Sequence, residues 1–377
     1  MAWGRTIDTW TEALGAILFK SYGLTGMETF AILLSAWLVL RRAPLLFRDW
    51  NKLGFFPIFL VGVAVFICSY IAGLLGVMSG GQLNTMFIQL RFLHCLPLWV
   101  FIGFAIWRDR AFTEKALKWM TIAICLKSLQ ALFVYFTNYS LFKYDEEYLI
   151  DHYFSGFSVV AVVCLVYYFF KEKSLAMKAT ILTSAVVVAM VYVIAGVLFT
   201  MITWNMPMPL GFIGETYRSF GNETGTGEPS YRDLENANLI NAVTQSPVSG
   251  IGYGKEFDEV FPMPDISYVY ERYRMIPHNL FLASWAFGGP LTISALSLLF
   301  ATMIAFSGRL LKFSKEPILF LLGIVSLFYF LQYLTYTFGD LGFQIQRNQM
   351  LAGLLLGACF RIGSELSLAE KRGETWV

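Results

Sequence analysis

Charge is scarce in this chain. Of 377 residues, 14% are Asp, Glu, Lys or Arg, against about 25% in an average soluble domain. Acidic and basic residues almost cancel, to +2, so bulk charge gives no footprint for nucleic acid or other polyanions. Cysteine is sparse as well. Cys68, Cys95, Cys125, Cys164 and Cys359 all fall in apolar stretches. Their spacing fits neither a disulfide framework nor a metal site, and they read as small apolar packing residues. There is no internal repeat and no low-complexity linker, so a single membrane domain over 1–377 is expected. The first residues, with Arg5, Asp8 and Glu12, lack the basic n-region and cleavage site of a signal peptide. The first strong apolar segment is therefore expected to start membrane insertion uncleaved.

What the chain has in excess is apolar surface. Hydrophobic residues make up 57% and aromatics 17%, with 35 Phe and 19 Tyr. A helix needs about 20 apolar residues to cross the hydrocarbon core. Nine segments qualify: 26–40 (short), 55–77, 86–107, 116–137, 153–170, 179–201, 278–307, 317–338 and 346–361. A tenth, 10–24, is shorter and carries Glu12 and Lys20; it is either a short span or a surface-lying amphipathic segment. Lipid offers backbone groups no partners, so these segments must be helices. The expected fold class is an all-α integral membrane protein with about 9–10 transmembrane helices.

Lys and Arg set the orientation. Seventeen of them lie in alternate connections and the C-terminal tail: Arg41, Arg42, Arg48 and Lys52; Arg108, Arg110, Lys115 and Lys118; Lys171, Lys173 and Lys178; Arg309, Lys312 and Lys315; Arg361, Lys371 and Arg372. The short connections on the other side, 78–85, 138–152 and 338–345, hold only Lys143. The positive-inside rule puts the first set and the C-terminus in the cytoplasm. The long loop 202–277, between the fourth-last and third-last spans, then lies outside, in a periplasm if the cell has one.

About 75 residues is far more than a connector needs, and loops of that length are usually functional. This one has ten acidic and five basic side chains, a net charge of −5. Its pattern predicts one helix over about 230–245, with Ser230 as N-cap, Asp233 three residues on as an imperfect capping box, and Leu234, Leu239, Ile240 and Val243 on one side. Ser246-Pro247-Val248-Ser249-Gly250-Ile251-Gly252-Tyr253-Gly254 follows as a turn. Its glycines allow close backbone approach.

Two blocks of residues resemble a known family. Tyr231-Arg232, a helix, and then the Pro247–Gly254 turn look like the Arg…helix…Pro-x-x-Gly-x-Gly-x-Gly block of the O-antigen ligase/polymerase superfamily. Pro277-His278-Asn279-Leu280-Phe281-Leu282, followed by Gly288-Gly289, is similar to its His-Asn-x-x-Leu…Gly signature, where the long loop returns to the membrane. Together the blocks cover about 60 residues; elsewhere the likeness is topological, including three spans after the loop. The resemblance implies a GT-C-like helical bundle and a metal-independent, cofactor-free inverting glycosyltransferase. Such enzymes take a glycan from undecaprenyl diphosphate and pass it to an acceptor hydroxyl at the periplasmic face of the bacterial inner membrane. Ligases use lipid A-core as acceptor, polymerases another lipid-linked repeat unit. Membrane lipids are the other partners, and nucleic acid is not one. The chain departs from the family in having fewer spans than about twelve, and in having no arginine beside Ser184, where many members carry a Ser-Arg pair. Either Arg218 or an intramembrane cation fills that role, or the donor is handled differently.

The chemistry of a lipid diphosphate gives these residues jobs. Arginine binds a diphosphate bidentately and keeps its proton, which selects Arg232 and Arg218. The acceptor hydroxyl needs a base near neutral pH, which suits imidazole, and His278 is the His beside the loop. Asn279 is expected to orient the turn, Gly250, Gly252 and Gly254 to shape it, and Glu235 to pair with Arg232 across a helical turn. Arg272 and Arg274 either anchor at headgroups or join the site. Charges inside a bilayer are rare and usually functional. Arg91, Lys127 and Arg347 are therefore candidates for a cationic pocket that receives the donor diphosphate, with snorkelling as the alternative for Arg91 and Arg347. His94 either joins Arg91 or packs. Rival classes are a lipid-linked glycan flippase or transporter, a non-catalytic scaffold, and a peptidoglycan polymerase relying on a loop aspartate such as Asp233, Asp258 or Asp265. The acidic, Tyr-rich 138–152 loop tilts the reading slightly toward ligase over two-loop polymerase.

Overall fold

The computed structural model describes residues 26–53, 56–107, 109–137, 155–189, 231–265, 267, 273–339 and 346–373. The 10–24 segment, the 138–152 loop, Arg218, Ser230, Arg272 and the first part of the long loop lie outside the described residues. Eleven helices and no strand occur among those described. They are α1 Gly26–Lys52, α2 Phe56–Met78, α3 Leu83–Gln89, α4 Arg91–Ile106, α5 Arg110–Thr137, α6 Ser155–Lys171, α7 Leu175–Ala189, α8 Tyr231–Gln245, α9 Leu280–Phe313, α10 Pro317–Gly339 and α11 Gln346–Arg372.

Over its described residues every predicted span falls on a helix or a helix pair; of 179–201 only 179–189 is described. Leu280–Phe313, Pro317–Phe338 and Gln346–Arg372 are each long and apolar enough to cross a membrane, and the bent pair α3–α4 makes a fourth. Shorter apolar helices accompany them at Val65–Met78, Phe157–Lys171 and Leu175–Ala185. The fold is thus all-helical, of the kind found in membrane proteins.

The structure corrects several boundaries. The first helix does not stop near residue 40 but continues to Lys52, so Arg41, Arg42 and Arg48 sit on a helix and not in a connection. The 86–107 span is two helices, bent by 42° at Leu90. The last helix runs eleven residues beyond the predicted end at 361. Its extension is held by Arg361, which hydropathy assigns to a solvated tail. The Arg361 side chain is buried, 7% exposed, and its guanidinium contacts Asp49 at 2.9 Å and Glu365 at 3.1 Å. It also donates to the Phe104 carbonyl at 3.2 Å and lies 5.1 Å from the Phe104 ring centroid. A charge with that many partners can stay inside a helix bundle; single-residue hydropathy cannot see them.

Small residues let α4 and α11 approach closely. Gly353 and Gly357, four apart on α11, face Gly103 on α4. A Cβ at Gly353 would lie 2.5 Å from the Trp99 Cβ, one at Gly357 2.2 Å from the Val100 carbonyl oxygen, and one at Gly103 2.4 Å from that of Leu354. This is the small-xxx-small packing that lets membrane helices approach at their backbones. It brings the C-terminal ends of α1 and α4 to the middle of α11, at Arg361. The core beside it is aromatic, with Tyr329, Tyr333 and Phe330 of α10 almost wholly buried.

Candidate functional site

The site begins at α8, predicted almost to the residue. The helix has an unusual inner face. Glu235, Asn238, Leu239 and Ala242 are its buried residues, whereas Ile240 is half-exposed. Ile240 therefore does not join the expected apolar side, because two polar residues occupy that side and do specific work. Asn238 accepts from the Phe261 N–H and donates to the Phe261 carbonyl, both at 2.8 Å, and so clamps the following strand of loop. Glu235 is 1% exposed and turns to His278. The backbone N–H of His278 donates to Glu235 Oε2 at 2.9 Å, and His278 Nδ1 lies 3.2 Å from both carboxylate oxygens.

This arrangement defines the imidazole. An ionised carboxylate only accepts hydrogen bonds, so against it Nδ1 is the donor, and in the neutral ring the lone pair then sits on Nε2. The ring also meets Tyr231 edge-on, with centroids 5.9 Å apart. Nε2 has no hydrogen-bond partner among the described residues, and the side chain keeps 19% exposure. The structure therefore presents a basic nitrogen held from behind by a buried carboxylate. Sequence reasoning assigned Glu235 to Arg232; the partner missed was His278, 43 residues on. Its only sequence signal is an acidic residue at the helix position that faces inward. Arg232 lies in the first turn of α8, three residues from Glu235 and half-buried.

The chain beyond His278 explains why the ring can be held so firmly. Asn279 caps α9, its side chain accepting from the Leu282 N–H at 3.1 Å. Ten residues later α9 breaks. Gly289 adopts φ 72° and ψ −173°, and Pro290 follows. Proline lacks the N–H that would satisfy the Ala286 carbonyl four residues back. The glycine turn supplies the missing donors. Ile251 N–H donates to Ala286 O at 2.8 Å and Gly252 N–H to Phe287 O at 3.0 Å.

On its other side the turn touches α2. A Cβ at Gly76 would lie 2.1 Å from the Tyr253 carbonyl oxygen, and one at Gly252 2.4 Å from the Gly76 Cα. Gly252 also needs φ 92°, which suits glycine. Gln89, the last residue of α3, closes the set. It donates to the Met275 carbonyl at 2.6 Å and accepts from the Gly254 N–H at 2.5 Å. One buried amide thus ties the glycine turn to the segment leading into His278. The glycines serve backbone-on-backbone packing, and Gln89 is a residue that sequence reasoning did not single out.

The candidate cations are dispersed. Arg91, at the start of α4, meets the buried Glu28 of α1 at 2.9 Å, and Cys95 Sγ lies 3.2 Å from the same carboxylate. Arg91 therefore enters as half of an ion pair. His94 contacts the Tyr70 hydroxyl and packs among Phe66, Tyr70 and Phe87, so it joins an aromatic cluster. Lys127 is half-buried on α5, and Arg347 is exposed in the first turn of α11. Arg274 pairs with Glu256 and, at 3.9 Å, with Glu259. Asp265 accepts from the Ser267 N–H at 2.8 Å, which holds its carboxyl below the usual range and gives it a turn-forming role. Among the described residues no group of His, Cys, Asp and Glu has the geometry to hold a metal ion. No protein-family model and no curated protein matches the chain.

Proposed function

We propose that the chain is a glycosyltransferase of O-antigen ligase type. It moves a glycan from undecaprenyl diphosphate to an acceptor hydroxyl on the periplasmic side of a bacterial inner membrane. The observation that carries this reading is the Glu235–His278 pair at the point where the long loop meets α9. The chemistry is a single displacement. His278 Nε2 takes the proton of the acceptor hydroxyl as its oxygen bonds to the anomeric carbon. The bond from that carbon to the diphosphate oxygen breaks, and undecaprenyl diphosphate leaves with the electron pair. The anomeric configuration inverts. Glu235 keeps the imidazole in the productive tautomer and offsets the charge it gains. Arg232, one turn from Glu235, would stabilise the departing diphosphate, and Arg218 remains its candidate partner. The Arg91–Glu28 pair argues against a donor site built on Arg91 alone, since its charge is already balanced.

A deletion strain tests the reading. Complementation with the wild-type chain should restore surface polysaccharide, and His278→Ala at equal membrane level should not. Uncapped core with polymer accumulating on undecaprenyl diphosphate identifies a ligase; core bearing one repeat unit identifies a polymerase. Unchanged polysaccharide in the His278→Ala strain would remove the enzyme reading altogether.

A further inference from the structure

Glu235 and His278 are 43 residues apart, so contacts elsewhere must fix their separation. Two stretches of chain matter. One leaves α8 through the glycine turn and ends at Gly254. The other runs from Tyr273 into His278. Both rest on the short helix α3. At its start the Gln82 N–H donates to the Gly254 carbonyl at 2.7 Å. In its middle the Thr85 hydroxyl lies 3.4 Å from the Met275 sulfur. At its end Gln89 accepts from the Gly254 N–H at 2.5 Å and donates to the Met275 carbonyl at 2.6 Å. Of these contacts, those of the Gln89 amide alone span both stretches.

The amide is itself held in place. Gln89 is buried, and its neighbours define its orientation: turned over, it would set N–H against N–H and carbonyl against carbonyl. Its backbone stands at the 42° bend between α3 and α4. Two residues on, Arg91 is paired with Glu28 of α1 at 2.9 Å. Met275 is three residues from His278, which is about 10 Å of extended chain. The contact that depends on this frame has little slack. Nδ1 lies 3.2 Å from both Glu235 oxygens, and ordinary N–H···O bonds end near about 3.2 Å. A shift of about half an ångström would break it.

We propose that Gln89 is a positioning residue, which sets the separation of Glu235 and His278 by holding Gly254 and Met275 at once. It acts on transfer through the imidazole. That effect on transfer rests on the glycosyl-transfer reading; the effect on the imidazole does not.

Two variants test this. Gln89→Met keeps a similar length and makes neither bond. Gln89→Asn keeps a buried amide but is one methylene short, so it holds one stretch and leaves the separation unset; where Gln89→Met fails to fold, Gln89→Asn decides. The whole chain, labelled with ¹⁵N-histidine, is placed in lipid nanodiscs. It has three histidines, and His278→Ala identifies the signals of His278. In alkaline buffer, where imidazole is neutral, the ¹⁵N spectrum reports which ring nitrogen carries the proton. Wild type should show His278 with the proton on Nδ1, and both variants should lose that preference. A merely structural Gln89 would lower the yield of folded protein and leave the tautomer unchanged, and that result would overturn the proposal. In transfer assays Gln89→Met should lower kcat about 5–15-fold, the loss expected when the charge-assisted contact goes, with the acceptor KM little changed. Glu235→Gln added to it should then cost less than about twofold; effects that multiply would mean that Gln89 does not act through Glu235. An unchanged tautomer with transfer still dependent on His278 would sink the role of Gln89 alone. A switched tautomer with transfer indifferent to His278→Ala would sink the enzyme reading and leave Gln89 as the residue that positions the imidazole.

Discussion

Replacing Glu235 by glutamine is the sharpest test of the paired site, because it removes a charge and keeps the shape. The glutamine carbonyl can still accept from the His278 backbone N–H, which Glu235 Oε2 now does at 2.9 Å. What is lost is the charge-assisted part of the contact to Nδ1. Hydrogen bonds to charged groups contribute about 1.5–3 kcal/mol and neutral ones about 0.5–1.5, so the expected loss is about 1–1.5 kcal/mol. If that stabilisation acts where the imidazole becomes charged, kcat falls roughly 5–15-fold, with the KM for acceptor little changed. His278→Ala should cost roughly 10²–10⁴-fold, the usual contribution of a general base. Membranes from a deletion strain, loaded with accumulated lipid-linked glycan, serve as substrate for purified variants, and initial rates of glycan transfer give kcat and KM. A Glu235→Gln enzyme within twofold of wild type would refute the argument that the carboxylate supports the base. A fall in kcat accompanied by a loss of folded enzyme large enough to account for it would reduce Glu235 to a structural residue.

Other perturbations probe the frame around the site. Gly76→Ala and Gly252→Ala each push a methyl group into backbone, so each should destabilise the purified protein by about 1–3 kcal/mol, read as a lower midpoint in a thermal aggregation assay; an unchanged midpoint would contradict the seam between turn and α2. Arg361→Met should cost about 3–5 kcal/mol, because it leaves the half-buried Asp49 with its main partner gone; reversible unfolding in mixed micelles measures this, and a loss under 1 kcal/mol would mean that the pair is incidental. Arg91→Met should weaken the protein, and Glu28→Gln added to it should recover part of the loss, since the harm comes from an orphaned carboxylate. If Arg91→Met leaves stability intact and halts transfer, Arg91 acts on the donor after all.

Hydropathy found the apolar helices readily, because a long apolar run is a local signal; three of them, or four with the bent pair, are long and apolar enough to cross a membrane. It failed where side chains answer one another across long sequence distances. Arg361 reads as the start of a tail until Asp49, Glu365 and Phe104 are placed around it. Ile240 reads as an inner residue until Asn238 and Glu235 are seen to need that face. His278 and the glycine turn were legible as a pattern of residue types. Glu235 and Gln89 were not, because nothing local marks a carboxylate or an amide whose partners lie 43 and 186 residues away. The Gly353–Gly357 spacing was visible in the sequence as it stands, and carried its meaning only once α4 lay against it.

The seam between Gly76 and Gly252 bears on how the protein is made. The two residues are 176 positions apart in the chain. At about 5–20 residues per second of synthesis, α2 precedes its glycine turn by about 10–35 s. During that interval the glycine face of α2 has only its near neighbour α3, whose Met86 already lies against Gly73. The groove at Gly76 must stay vacant until the turn arrives and α9 has broken at Gly289 to receive it. The ground beneath His278 is thus built only after α9 has been made, so the helices that precede the long loop can all have formed while this seam is still missing.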